Sequence, residues 1–225
     1  MSVVIPTLNE EGAIRSCLAQ FQPAGDLELL VVDGGSRDGT REAVRERASA
    51  RLVVCEEAGR SLQMNRGAGD ASGDVLLFLH ADTILPGNGL DLIREALDDP
   101  EVVGGRFQLG LSEGGWPFRL IALLSTLRSR FLGITYGDQG IFVRRSAFEQ
   151  VNGYPPIRVF EDSEFCSKVS ALGAFTLLDA SVHSSTRRWR RWGILGTVAW
   201  MWILRILYLC SVSPARLSRL YRDVR

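Results

Sequence analysis

Leu76-Leu77-Phe78-Leu79-His80-Ala81-Asp82-Thr83 is an apolar run that stops at an acidic residue. A buried parallel strand reads this way, because both of its faces are covered by helices. In an open α/β sheet the carboxyl ends of the strands line the ligand crevice, so Asp82 stands where a carboxylate can hold a divalent cation against phosphate charge. The competing reading is that Asp82 only ends the strand and caps the next segment.

The residues before this run repeat the pattern. Residues 2 to 6, 27 to 33, 51 to 55 and 74 to 79 are predicted as strands, being β-branched or leucine-rich runs bounded by turn signals. Between the first two, Asn9 can cap a helix with Ile14, Leu18 and Phe21 on one face. After Asp33, the turn Gly34-Gly35-Ser36-Arg37-Asp38-Gly39 leads into a helix from Thr40, and a small-residue helix is predicted over 61 to 71. The expectation is an α/β fold, a mostly parallel sheet flanked by helices with right-handed crossovers. Beyond a helix at 88 to 97 the alternation loosens. Strands are expected at 102 to 109, 141 to 143 and 174 to 178, and helices at 116 to 131 and 161 to 172.

With 225 residues, 46% of them hydrophobic and 23% charged, the chain can bury one large core. Cys17, Cys55, Cys166 and Cys210 stand far apart with no CxxC pair, which indicates neither a zinc site nor a disulfide framework and suits a reducing cytosol. Strand-like sequence begins at Ser2 with no leader-type segment before it, so a cytoplasmic location is expected.

A formal net charge of zero conceals a division: residues 187 to 225 hold nine arginines against Asp223, leaving +8 there and −8 on residues 1 to 186. Trp189, Trp192, Trp200, Trp202, Tyr208 and Tyr221 accompany the basic charge. With its strongly apolar middle, this segment reads as a membrane-surface element in preference to a nucleic-acid arm. Two units are therefore expected, 1–186 as the catalytic domain and 187–225 as a basic, aromatic-rich, helical appendage. Residues 194 to 212 are long enough to enter a bilayer, but Arg205 interrupts them, at a cost of roughly 2.5 to 3.5 kcal/mol for a central arginine. Monotopic attachment at the cytoplasmic face is the favoured reading. Packing on the catalytic domain or on a second subunit is the rival, and a homo-oligomer stays open.

Three further groups can carry chemistry. Asp33, beside Gly34, Gly35 and Gly39, is placed for a base or ribose contact, although an Asp-Gly turn that merely links strand to helix fits equally. Glu161-Asp162 opens a helix, where the dipole favours anions; acidic residues are common in a first turn for that reason alone, and a carboxylate held there can also serve as general base. Gly137-Asp138-Gln139-Gly140 is a polar loop suited either to acceptor binding or to a plain turn. Neither GxGxxG nor a P-loop is spelled out.

Together, Val4-Ile5-Pro6-Thr7-Leu8-Asn9-Glu10, Val31-Val32-Asp33-Gly34-Gly35-Ser36-Arg37-Asp38-Gly39-Thr40, His80-Ala81-Asp82 and Glu161-Asp162 resemble family-2 glycosyltransferases in both order and spacing over residues 2 to 190. The resemblance implies a GT-A fold, a nucleotide-sugar donor, a divalent cation (Mn²⁺ or Mg²⁺) and transfer with inversion. By matching motif it assigns Thr7, Glu10 and Asp33 to the nucleoside, Asp82 to the metal and diphosphate, and Asp162 to the base, with Glu161 beside it. The family's Asp-x-Asp appears here as His80-Ala81-Asp82, a form shared with small bacterial members carrying Phe78-Leu79-His80-Ala81-Asp82-Thr83. His80 would then face the ribose or diphosphate. Arg60, with Arg66 as a weaker candidate, lies where related enzymes bind the donor phosphate, and His183 is a further metal candidate. Arg188, Arg191 and Trp192 look like the [Gln/Arg]-x-x-Arg-Trp element of membrane-associated relatives on the acceptor side.

The expected chemistry is single displacement: Asp162 takes a proton from an acceptor hydroxyl, with the acceptor lipid-linked or lipophilic. A nucleotidyltransferase and a non-catalytic sugar-nucleotide sensor remain as alternatives, separated by whether nucleoside diphosphate, pyrophosphate or no product is released.

Overall fold

The structure is a computed structural model that describes residues 1–22, 25–57, 59–112 and 115–220, without the side chains of residues 188, 191, 192, 195 and 215. Its first half alternates β1 (Ser2–Thr7), α1 (Glu11–Ala19), β2 (Glu28–Asp33), α2 (Thr40–Arg45), β3 (Ala50–Val54), α3 (Arg60–Asp70) and β4 (Val75–Phe78). These four strands are parallel neighbours in the order β3-β2-β1-β4. A period of two sends Val3 and Ile5 to one face and Val4 to the other. Each face packs its own core, so the strands are apolar throughout.

Apart from β8, the sequence-predicted strands are found to within a residue or two; β4 ends at Phe78, leaving Leu79 to Asp82 as the connection to the short β5 (Thr83–Ile84). After α4 (Gly89–Asp98) come β6 (Val102–Leu111), α5 (Trp116–Leu132), a 3₁₀ turn (Gly137–Gln139), β7 (Ile141–Arg144), α6 (Arg145–Gln150), α7 (Glu161–Ser170) and β8 (Ala174–Ser184). The sheet continues β4-β7-β6-β8-β5, with β7 antiparallel to both β4 and β6. β8 runs on to Ser184, beyond the expected end at 178, because a register shift between Arg106 and Gln108 lets Ser181 to Ser184 pair with Gln108 to Leu111.

Asn9 does not cap α1. The N-cap is Glu10, without a side-chain cap bond, while Asn9 takes a left-handed φ of 56°. Its Oδ1 accepts from the Arg37 amide at 2.9 Å and its own amide donates to Ser36 Oγ at 2.9 Å. Asn9 thereby ties the loop after β1 to the glycine-rich turn after β2, and both loops lie at the carboxyl end of the sheet.

The basic segment folds as α8 (Arg187–Trp192), α9 (Ile194–Leu209) and α10 (Pro214–Leu220). Leu204 and Leu217 are buried against Val159 and Phe160, with Trp200, Leu207 and Tyr208 packed around them. Trp202, Ile203, Ile206 and Leu209 remain exposed on the other side of α9, as do Trp116, Leu120, Leu123, Leu124, Leu127, Phe131 and Leu132 of α5. Among the described residues no helix is long and apolar enough to cross a membrane.

Candidate active site

One pocket collects seven of the residues singled out in the sequence. Arg60, His80, Asp82, Gly137, Asp138, Glu161 and Asp162 line it, joined by Tyr136, Phe160, Ser185, Arg187, Trp189 and Met201. Its walls come from the end of β4, the 3₁₀ turn, the start of α7 and the segment after β8. This is the carboxyl-end crevice that the strand order creates.

Asp162 occupies the first turn of α7 and is 5% exposed, close to full burial. Its Oδ2 accepts the Gly137 amide at 2.9 Å, whereas Oδ1 is buried without a hydrogen-bond partner among the described residues. Burial chiefly, and then the Glu161 charge, push its carboxyl up to about 7, against the pull of Arg60 and the Gly137 amide. Glu161 is 1% exposed and lies 3.0 Å from Arg60 Nε. The two carboxylates differ in that Glu161 is ion-paired with Arg60, although its Oε1, like Asp162 Oδ1, accepts no hydrogen bond among the described residues.

Gly137 is required by this packing. A Cβ there would stand 2.7 Å from both Asp162 Oδ2 and His80 Nε2, so the imidazole and the carboxylate both close on the space that the missing side chain leaves. Asp138 also faces the pocket, but Gln139 is fully buried and turned away, its amide donating to the Phe107 carbonyl at 3.1 Å.

Asp82 faces the same pocket, and Arg187 Nη2 bonds its Oδ2 at 3.1 Å and Glu10 Oε2 at 2.8 Å. Sequence reasoning missed Arg187, one position before the matched arginine motif. The excess of basic charge after residue 186 was the available signal, but only folding brings α8 back to β4 and α1. The side chains of Arg188, Arg191 and Trp192 lie outside the described residues.

Thr7 and Asp33 sit deeper, at the ends of the paired strands β1 and β2. Thr7 is 2% exposed, and its carbonyl accepts Gln63 Nε2 at 2.7 Å. Asp33 is fully buried; its oxygens accept from the amides of Gly35 and Ser36 and from Arg41 Nε. Burial alone would raise its carboxyl, but these donors outweigh it and hold Asp33 below the ordinary aspartate range. Arg66 is on the outer side of α3, paired with Asp70 at 3.3 Å and more than half exposed. His183 lies on β8 opposite Ile84; it borders a shallow hollow adjoining the pocket and shared with Asp82 and Arg187.

Among the described residues no group of three or more His, Cys, Asp or Glu side chains stands ready for a metal. A hard divalent cation carried on diphosphate oxygens needs only one or two protein carboxylates. Asp82, partly exposed at the pocket wall, fits that demand.

Comparison with known proteins agrees with this architecture. Residues 2–151 match the model of glycosyl transferase family 2, and the chain belongs to that family. Among curated relatives, glycosyltransferase AglE of Haloferax volcanii is 29% identical over 182 residues, covering 69% of this chain and 56% of that protein. Glucosyl-3-phosphoglycerate synthase of Mycobacterium tuberculosis is 34% identical over 160 residues, 57% of this chain and 48% of that protein. The chain thus spans about half the length of these relatives. The mannosyltransferase PcManGT of Pyrobaculum calidifontis, solved in complex with GDP-Man and Mn²⁺, superposes with a TM-score of 0.68 at 25% identity, over 81% of this chain and 56% of that one. The sheet is that of the GT-A glycosyltransferases.

Proposed function

We propose that this chain transfers a sugar from a nucleoside-diphosphate donor to an acceptor hydroxyl with inversion, Asp162 being the general base. The observation that carries this reading is the placement of Asp162 and Asp82 on one pocket, with Asp162 Oδ1 buried and unpartnered. A carboxyl near neutrality can be ionised at working pH and still bind a proton well, which suits proton abstraction in the transition state. The Gly137 amide fixes the orientation of that carboxylate. No covalent intermediate is required, so one base suffices.

Thr7, Glu10 and Asp33 are assigned to the nucleoside, and Asp82, Arg60 and His80 to the diphosphate side. A divalent cation on Asp82, with His183 as a further candidate ligand, would neutralise the leaving diphosphate when bound. Arg187 is released from Asp82 and Glu10 as the donor enters, and is then free to face the same phosphate oxygens. Gly137, Asp138 and Gln139 shape the acceptor side, and Arg188, Arg191 and Trp192 are assigned there as well. The exposed apolar faces of α5 and α9, flanked by arginines, are proposed to rest on the cytoplasmic membrane surface, where a lipid-linked acceptor would be met.

A panel of nucleotide sugars, tested for thermal stabilisation with and without Mn²⁺, identifies the donor. Release of free nucleoside diphosphate from that donor supports sugar transfer. Release of pyrophosphate instead, or binding without turnover in the presence of acceptor extracts, sinks the proposal.

A further inference from the structure

On its core side, α7 meets a box of four aromatic rings. Phe78 from β4, Phe148 from α6, Phe165 from α7 and Tyr154 from the loop between α6 and α7 pack on one another. Tyr154 stacks on Phe165 with centroids 4.0 Å apart and stands edge-on to Phe78 at 5.0 Å. Three of the four are phenylalanine, and a fourth would fill the box as well. Tyr154 is 1% exposed, and its hydroxyl is buried with no hydrogen-bond partner among the described residues. An unpaired buried hydroxyl costs stability that phenylalanine would not, and the hydroxyl of a buried tyrosine ordinarily finds a partner.

The backbone holds this one ring in place. Asn152 and Gly153 take left-handed φ values of 60° and 67°. Asn65 of α3 then clamps Tyr154 twice: Asn65 Nδ2 donates to the Tyr154 carbonyl, and the Tyr154 amide donates to Asn65 Oδ1, each at 2.8 Å. Phe165 follows Asp162 by three residues and Glu161 by four, so the three side chains are neighbours on the surface of α7. Helical side chains lean towards the N-terminus, which brings a ring stacked on Phe165 alongside the turn that carries the two carboxylates. Burial, and then the charges of Asp162, Cys166 and Glu161 against that of Arg60, hold the Tyr154 proton well above the usual tyrosine range. Tyr154 therefore stays an O–H donor at any working pH, and Asp162 Oδ1 is a buried acceptor without a partner among the described residues.

Resting on the transferase reading, we propose that Tyr154 is a positioning residue for the base, its hydroxyl donating from the core side to the ionised Asp162 carboxylate. A carboxylate oxygen accepts more than one hydrogen bond, so Oδ1 can take Tyr154 from the core and the acceptor hydroxyl from the pocket. The acceptor's proton passes to Asp162, and Tyr154 keeps its own. With the Gly137 amide on Oδ2, the carboxylate is then held by both oxygens, the new bond tightening as the acceptor complex forms. The other groups facing Asp162 are Glu161 beside it, Cys166 one turn on, Arg60 from α3, Asp138 from the 3₁₀ turn and His80 from the end of β4.

Tyr154→Phe removes one oxygen and keeps the ring. Loss of a donor to the charged carboxylate should lower the melting temperature relative to wild type more at about pH 8, where Asp162 is ionised, than at about pH 5, where it is protonated. In an Asp162→Asn background the same substitution should show no such dependence on pH. These measurements need only the chain itself. With the nucleotide sugar that the donor panel selects and an acceptor extract, the acid limb of nucleoside diphosphate release should move up from about 7 by about one pH unit, as loss of a hydrogen bond to a charged group requires. A tyrosine with a structural role alone would lower the rate alike at every pH and leave the limb in place. An unmoved limb, or one that moves down, overturns the proposal. So does a melting difference that is independent of pH or that keeps its pH dependence in the Asp162→Asn background. Binding of nucleotide sugars without release of nucleoside diphosphate counts against the transferase reading, and the melting comparison then decides the contact between Tyr154 and Asp162 by itself.

Discussion

Arg187 closes on Asp82: a single guanidinium nitrogen lies 3.1 Å from Asp82 Oδ2 and 2.8 Å from Glu10 Oε2. If the proposed donor-borne cation sits on Asp82, metal and arginine would compete for the same carboxylate. The pair is partly exposed, with 44% of the arginine side chain accessible, and such pairs contribute about 0.2 to 1 kcal/mol. Arg187→Gln should therefore raise the affinity for Mn²⁺ alone by up to about fivefold, read from free Mn²⁺ by electron paramagnetic resonance. Unchanged or weaker Mn²⁺ binding would show that Arg187 does not guard the site.

Asp162→Asn should reduce transfer by about 10²-fold or more while leaving nucleotide-sugar binding nearly intact, because the base acts on the acceptor and not on the nucleotide. In the wild-type enzyme the base must be ionised, so the rate should fall as pH drops below about 7, the value to which the Asp162 carboxyl is raised. Retention of more than about a tenth of the rate in the variant removes Asp162 from the base role.

The same carboxyl has a stability consequence of definite sign. Its folded-state affinity for a proton exceeds that of the unfolded chain, so the native state binds the extra proton and loses stability as pH rises from about 4 towards 7. Asparagine is neutral throughout. The melting temperature of Asp162→Asn should exceed that of wild type by more at about pH 8 than at about pH 5. A difference independent of pH would show that burial of this charge is not what costs the fold.

Gly137→Ala places a methyl group 2.7 Å from both Asp162 Oδ2 and His80 Nε2. The carboxylate must shift, and displacement of a catalytic group by about 1 Å can cost on the order of 10²-fold. The expected result is a loss of kcat of that order with the protein still folded by circular dichroism. Near-wild-type kcat would mean that the Gly137–Asp162 contact is not part of the working geometry.

Changing Trp202, Ile203, Ile206 and Leu209 together to glutamine alters only the exposed side of α9. If this face enters the membrane surface, the variant should leave vesicles that still hold the wild-type chain at 1 M salt, where the Debye length is about 3 Å. Wild-type release by salt alone would assign attachment to the arginines. Failure of the wild type to bind vesicles at all would make this face an interface of another kind.

Short-range physics made much of this chain legible as sequence. Alternating apolar runs and turn residues specify β1 to β4 because both faces of a parallel strand must be apolar; Asp33 and Asp82 are visible because acidic residues follow those runs at crevice positions, and Asp162 because it stands with Glu161 at a helix start. The linear chain does not show β7 inserted antiparallel between β4 and β6, since strand direction depends on pairing partners distant in sequence. It does not show Asn9 bridging two loops, since the helix-capping signal at that position was overridden by contacts with Ser36 and Arg37. Nor does it show Arg187 on Asp82 or Arg205 beside Phe160: charge composition located a basic segment, but its outward face and its inward face carry different roles. Which arginine enters the site is decided by how α8 and α9 pack against the ends of β4, α5 and α7. That choice is tertiary, because a guanidinium can be buried only where aromatic faces and anionic partners from other elements already stand.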